Sequence, residues 1–154
     1  MKTGEACNRT VVVVSRNTTL SEASKLMRRH HVGSLVVLGD GERRTPVGII
    51  TDRDIVVEVL AADLDYRSML AGEIMSPVLH TALEDYDTHE TLKAMRQYGV
   101  RRIPVVSGSG ALVGIVTLDD LLDLLGEELG DIVRAIGNEQ SREDLRWRSR
   151  ASPG

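Results

Sequence analysis

The chain carries nearly the same message twice. Met27-Arg28-Arg29-His30-His31-Val32 returns as Met95-Arg96-Gln97-Tyr98-Gly99-Val100, a shift of 95 − 27 = 68 positions. Val47-Gly48-Ile49-Ile50-Thr51-Asp52-Arg53-Asp54-Ile55 returns as Val113-Gly114-Ile115-Val116-Thr117-Leu118-Asp119-Asp120-Leu121, a shift of 114 − 48 = 66. The two-residue difference falls between the echoes, at Gly39-Asp40-Gly41-Glu42 and Ser107-Gly108-Ser109-Gly110. Length changes collect in surface turns, so the pattern is that of a duplication. Two copies are too few, and each too long, for a solenoid. A repeat this short buries little core alone, so the halves are expected to pack as a pseudo-symmetric pair.

Each copy reads as β-α-β-β-α. Val11 to Val14 is a β-branched run expected as a strand. Thr19-Leu20-Ser21-Glu22 has the Thr-x-x-Glu spacing of a capping box, and Ala23, Leu26, Met27 and His30 continue one helical face. Ser34 to Leu38 and Pro46 to Ile50 read as strands around a Gly-rich turn. Thr51-x-x-Asp54 then opens a second helix with Ile55, Val56, Val59 and Leu60. In the second copy the elements are expected to begin at Val78, Asp87-x-x-Glu90, Arg102, Ala111 and Thr117. After Gly126, Leu129, Ile132, Val133 and Ile136 keep helical spacing, which predicts an extra amphipathic helix. Beyond Gly137 the chain turns polar and Arg-rich, and a frayed end is expected.

Composition excludes several functions. A net charge of −4 does not suit non-specific nucleic-acid binding, and there is no nucleic-acid-binding motif. No apolar run approaches the ~18 residues of a membrane span, and the opening residues lack a signal-peptide core. The single cysteine, Cys7, lies in what reads as a loose N-terminal segment and has no internal disulfide partner, so a cytoplasmic protein is expected. His30-His31 are adjacent on a helix, pointing about 100° apart, and do not chelate as an i,i+4 pair does; no metal is expected. Asp85-Asp87 and Asp119-Asp120 stand at helix starts, where acids serve the dipole. No poised base or nucleophile is found, so no catalytic residue and no enzymatic activity is expected. Trp147, among Arg142, Arg146, Arg148 and Arg150, reads as a tail residue, with a docking anchor as the other reading.

Two patterns carry binding chemistry. The strand–Thr-x-x-Asp–helix junction puts a hydroxyl, open backbone N–H groups and a carboxylate at one helix start; such a carboxylate can accept paired hydrogen bonds from a ribose diol. Arg101 and Arg102 precede the strand Ile103-Pro104-Val105-Val106, and paired guanidinium groups suit a phosphate. The plainer readings are a helix cap and a charged strand edge that blocks aggregation. Recurrence of the first motif at Thr117-x-x-Asp120, after the same Gly-apolar-apolar lead-in, weighs toward a site.

These residues resemble a known family. The repeat order, the Gly-Ile-Ile-Thr-x-x-Asp and Gly-Ile-Val-Thr-x-x-Asp ends and Arg-Arg-Ile-Pro-Val-Val look like cystathionine β-synthase (CBS) domains. The linker Ile74-Met75-Ser76-Pro77 is similar to the start of the second domain in tandem pairs. The resemblance covers about residues 7 to 126, with repeats at 7–68 and 69–126 and a C-terminal helix and flexible tail at 127–154. It implies a mixed α/β (α+β) fold of two pseudo-twofold β-α-β-β-α repeats packed through their sheets, a Bateman module.

The resemblance also implies two clefts for adenosine-type ligands: AMP, ADP or ATP first, with S-adenosylmethionine or NAD as alternatives. In the first, Asp54 would hold the ribose hydroxyls, Thr51 and Thr81 would hydrogen-bond nearby, and Arg101 and Arg102 would meet phosphate. Ile103 and Pro104 would flank the adenine, with His80 and Arg53 adding positive charge. The second joins Thr117 and Asp120 to Val13, Gly33, Ser34 and Leu35. There Val13 replaces the usual Thr, Gly33-Ser34 a basic pair, and Asp119 stands where the first copy has Arg53. That cleft is expected to be the weaker. A non-catalytic ligand sensor acting in trans on an unknown effector protein follows, with a structural interaction module as the alternative. Val56, Val59, Leu60, Leu121, Leu122, Leu124 and Leu125 give the second helices more apolar surface than one side of a small domain needs, so a homodimer is expected.

Overall fold

A computed structural model describes residues 1–151. The chain forms two compact units, Met1–Leu118 and Asp119–Gly154.

The first unit holds both copies of the repeat, each with a three-stranded sheet. In the first sheet, β1 (Val13–Ser15) runs parallel to β2 (Ser34–Leu38), which pairs antiparallel with β3 (Pro46–Thr51). In the second, β4 (Ala82–Leu83), β5 (Arg102–Val106) and β6 (Leu112–Thr117) repeat that order. The duplication is visible at single-residue register. Ser34 faces Thr51 as Arg102 faces Thr117, and Val37 faces Gly48 as Val105 faces Gly114. Both sheets carry a register shift at the matching place, Val37/Leu38 and Val105/Val106. The fold class is therefore mixed α/β, as the repeat pattern predicts.

Helix α2 (Leu20–His30) starts where its capping box predicts: Thr19 Oγ1 accepts from Glu22 N at 3.2 Å, and Glu22 Oε2 accepts from Thr19 N at 3.1 Å. Its i, i+3, i+7 positions Leu20, Ala23 and Met27 are buried. The counterpart α5 (Thr88–Tyr98) is capped by Asp87. Both helices end on a left-handed residue, His31 (φ 52°) and Gly99 (φ 65°). Glycine takes that conformation without steric cost, whereas a side chain there is strained by roughly 1–2 kcal/mol.

Three sequence expectations about the first unit are corrected. Cys7 is not in a loose segment. It is buried, its thiol donates to the Gly4 carbonyl at 3.4 Å, and it belongs to the stretch after α1 (Thr3–Ala6). That stretch docks on the second repeat: Gly4 N donates to Glu84 O and Asn8 N to Ile115 O. Its counterpart α4 (Ala71–Ile74) docks on the first, Gly72 N donating to Arg16 O and Ser76 N to Ile49 O. Each repeat thus lends its leading turn to the other. Second, Val78 starts no strand; β4 begins at Ala82 and Val78 is exposed, because the preceding Pro77 offers no N–H to a ladder. Third, the second helix of the first copy is one α-turn, α3 (Asp52–Asp54), followed by a π-helical Ile55–Leu60. The wider winding coincides with the β-branched run Ile55-Val56-Val57, whose side chains crowd the preceding turn of an α-helix.

The exchange of leading turns makes a testable difference between the halves. Thr3 and Thr91 are buried, with their hydroxyl oxygens 2.7 Å apart. The equivalent positions 68 residues away are Ala71 and Ala23, also fully buried. Thr3→Val alone strands the Thr91 hydroxyl and should cost about 1–3 kcal/mol, whereas Thr3→Val with Thr91→Val should be nearly neutral. Urea unfolding of the two single variants and the double variant measures the coupling; additive effects would show that the hydroxyl pair contributes nothing.

The second unit is helical. α6 runs from Leu118, the last residue of the first unit, to Arg150, a length of about 50 Å at 1.5 Å per residue. It passes through Gly126 and Gly137, so the separate helix after Gly126 and the irregular stretch beyond Gly137 are both corrected. Exposed helical glycines cost only about 1 kcal/mol each. Acid–base pairs at i+3 and i+4 offset part of this; Asp131 and Arg134 are ion-paired, and Asp144 and Arg148 share the i+4 spacing. Trp147 is exposed on this helix. Ser152, Pro153 and Gly154, the expected frayed end, lie outside the described residues.

Candidate functional site

β3 alternates strictly, with Pro46, Gly48 and Ile50 buried and Val47, Ile49 and Thr51 half-buried, so Ile49 and Thr51 emerge on the same face. That face lines a cleft of about 330 Å³ within the first unit, in the size range of small-molecule sites. Thr51 ends β3 and caps α3. Its Oγ1 accepts from Asp54 N at 3.1 Å, and Asp54 Oδ2 accepts from Thr51 N at 2.8 Å. The capping box is therefore real, and it aims the Asp54 carboxylate into the cleft while using only Oδ2.

The opposite wall comes from the second repeat. His80 precedes β4 and stacks on Tyr98, the last residue of α5, with ring centroids 3.7 Å apart and planes 8° from parallel. Gly99 and Val100 follow α5, and Arg101 and Arg102 lead into β5. The Arg101 carbonyl accepts from Leu118 N at 2.8 Å, which fixes the backbone there. Arg53, Arg101 and Arg102 face Asp52 and Asp54 around the same space, so guanidinium groups outnumber carboxylates by three to two. Apolar surface comes from Ile49, Val78, Leu79 and Val100, with Ser76 beside them. A space with an apolar wall, a helix-start carboxylate and paired guanidinium groups can hold a planar base, a diol and an anion together.

The lining includes Thr51, Arg53, Asp54, His80, Arg101 and Arg102 from the sequence-predicted set. Thr81 is exposed just ahead of β4 and outside the lining. Ile103 and Pro104 lie in β5 and are buried, with Ile103 at 0 % exposure, and neither lines the cleft. Of the second predicted set, Val13 is in β1 and Ser34 and Leu35 are in β2. Gly33 accepts from Asp52 N at 3.0 Å, and Thr117 ends β6 opposite Arg102. Asp120 stands in the first turn of α6, in the second unit. Sequence reasoning missed Ile49, Val78, Leu79 and Val100. Strand alternation was the available signal for Ile49; the other three are in loops that no periodicity marks.

Among the described residues, no three His, Cys, Asp or Glu side chains cluster as metal ligands. No described helix is long and apolar enough to cross a membrane.

Comparison with known proteins agrees with this architecture. Hypoxic response protein 1 of Mycobacterium tuberculosis is 38% identical over 130 residues, covering 84% of this chain and 89% of that protein. A crystal structure of Hypoxic Response Protein I, described with two coordinated zinc ions, is 36% identical and matches with a TM-score of 0.70 over 80% of this chain and 98% of that one. The uncharacterized protein MK0525 of Methanopyrus kandleri is 38% identical over 121 residues, covering 79% of this chain but 61% of that protein. The CBS domain protein PAE2072 of Pyrobaculum aerophilum, solved with AMP, is 26% identical with a TM-score of 0.72, over 79% of this chain and 90% of that one. The CBS domain pair of MJ0100, solved with 5′-methylthioadenosine and S-adenosyl-L-methionine, is 28% identical with a TM-score of 0.72, over 83% and 98%. The CBS domain family model matches twice, at residues 4–61 and 71–127. With both copies matched and both sheets in the same register, the chain belongs to the CBS domain family, as a tandem pair.

Proposed function

We propose that this CBS pair is a non-catalytic regulatory module that binds an adenosine-type ligand in the cleft between its repeats. The observation that carries the reading is convergence. One cleft gathers Thr51 and Asp54 from the first repeat with His80, Arg101 and Arg102 from the second. In this reading Asp54 Oδ1 takes the ribose diol, the arginines take phosphate, and Ile49 and Val100 flank the base. Ile103 and Pro104 back that apolar wall from within β5, and Thr81 reaches the ligand only from the rim. The guanidinium groups favour AMP, ADP or ATP over S-adenosylmethionine, which carries no phosphate. NAD carries a diphosphate and is therefore the closer alternative. The relatives support the class: one similar structure holds AMP and another S-adenosyl-L-methionine with 5′-methylthioadenosine. Of the second set, the residues of the first unit, Thr117, Val13, Gly33, Ser34 and Leu35, are proposed as the weaker site, since none of them carries a guanidinium group.

The same reading makes the protein a cytoplasmic homodimer acting in trans on an effector protein. Val56, Val57 and Leu60 are about half exposed on the π-helical segment, an apolar surface suited to a second copy, whereas Val59 and Leu121 of the expected apolar face are buried and contribute nothing to it.

A thermal-shift panel of AMP, ADP, ATP, S-adenosylmethionine and NAD tests the ligand class. A ligand at 100 times its dissociation constant stabilises the folded state by about 2.7 kcal/mol, which raises Tm by several degrees for a domain of this size. No shift with any member at millimolar concentration would leave the interaction-module reading in its place.

A further inference from the structure

The helix α6 runs past the family match, which ends at residue 127, to Arg150. On it Leu122, Leu125, Leu129, Ile132 and Ile136 recur at spacings of three and four, the a and d positions of two heptads. All five are 50–64 % exposed, and Val133 beside them is 64 % exposed. Soluble monomers rarely leave so continuous an apolar stripe in water. Of the six outward positions four are charged, Asp123, Glu127, Asp131 and Arg134, and the other two are Leu124 and Gly130. The same two positions continue beyond Ile136 as Glu139, Glu143, Arg146 and Arg150, so charge ends the stripe after about 21 Å of helix.

We propose that this stripe is a helix–helix seam whose occupant is the α6 of a second copy of this chain. Knobs-into-holes packing needs a facing helix with the same 3–4 spacing, and a second copy presents one by symmetry. The residues flanking the stripe fit self-pairing. Gly126, Val133 and Ala135 carry no charge, and Glu128 is the one charged flank between Leu122 and Ile136. An identical helix therefore approaches with little like-charge opposition, whereas a partner recognised by charge would need flanking ions to read. Two heptads are short of the three or four that sustain an independent coiled coil. The seam accordingly adds to the dimer proposed for the exposed Val56, Val57 and Leu60. This deepens the homodimer reading above and rests on it, but is independent of the ligand.

Sedimentation equilibrium of the full chain tests the seam. The unmodified protein is expected to dimerise at micromolar concentration. Leu129→Glu with Ile132→Glu should weaken association at least tenfold, while Glu127→Gln on the outer face should leave it unchanged. Leu129→Ala with Ile132→Ala keeps a good helix former at both positions and should also weaken association, and it decides the test where circular dichroism shows that the Glu pair disturbs folding. If both double variants dimerise as the unmodified chain does while Val56→Glu with Leu60→Glu is monomeric, the seam is overturned and the homodimer stands. A chain that is monomeric at tens of micromolar overturns both, with the thermal-shift result for nucleotides unaffected.

Discussion

Asp54→Ala is expected to weaken AMP binding tenfold or more, because it removes the one carboxylate that the capping box aims into the cleft. Thr51 N already occupies Asp54 Oδ2, at 2.8 Å, so a ribose diol would engage Oδ1 through a charge-assisted bond. Such bonds contribute roughly 1.5–3 kcal/mol, and 1.4 kcal/mol is a factor of ten in affinity. Arg102→Ala should cost a similar factor with AMP and far less with adenosine, which has no phosphate to lose. The Asp54→Ala effect should persist with both ligands. Because Asp54 also helps cap α3, calorimetry is paired with a melting curve: lower Tm with unchanged affinity would reduce the carboxylate to a cap. Asp120→Ala is the internal comparison, and should matter little because its set has no guanidinium group. If Asp120→Ala proved the most damaging change, the ligand would belong with the second set of residues.

What the sequence made legible follows from where its information is local. Capping boxes at Thr19, Thr51 and Asp87 involve residues three apart, so each helix start could be read directly. The duplication supplied the long-range information that a single sequence usually lacks. Two copies with the same spacing imply the same pairing, and Ser34–Thr51 and Arg102–Thr117 do sit in equivalent register. The exchange of leading turns was not legible. Cys7 and Met75 are 68 positions apart, yet no pattern in the chain says that each meets a glycine in its own or the other half. A Cβ on Gly114 would stand 2.6 Å from Cys7 Sγ and 2.7 Å from Asn8 O, and one on Gly48 would collide with Met75 Sδ. Those glycines read as part of a ligand motif, whereas their space is filled by the stretch that the other repeat docks on them. The apolar wall of the cleft was missed for a related reason: Val78 and Leu79 lie in a linker placed by tertiary contacts alone.

Leu35→Ala and Ile103→Ala should be the most destabilising single changes considered, at about 2–5 kcal/mol each. The two residues are duplicates, 68 positions apart, each the second residue of its sheet's central strand, β2 or β5, and both have 0 % exposure. Family resemblance assigns them to opposite clefts, yet neither side chain reaches the surface. Leu35 packs in a cluster with Val14, Leu20, Met27, Val37, Ile50 and Val59, so truncation removes buried methyl groups and leaves a cavity that surrounding strands close only in part. Against a total stability of about 5–15 kcal/mol for a domain, either loss is large. Urea unfolding measures it, with nucleotide affinity followed on the folded protein. The expected pattern is a low midpoint with affinity within about threefold of the unmodified chain, since the cleft is lined by Ile49 and Val100 and not by Ile103. If Ile103→Ala instead lost affinity with little change in midpoint, its side chain would be a base contact, and β5 would have to turn toward the ligand on binding.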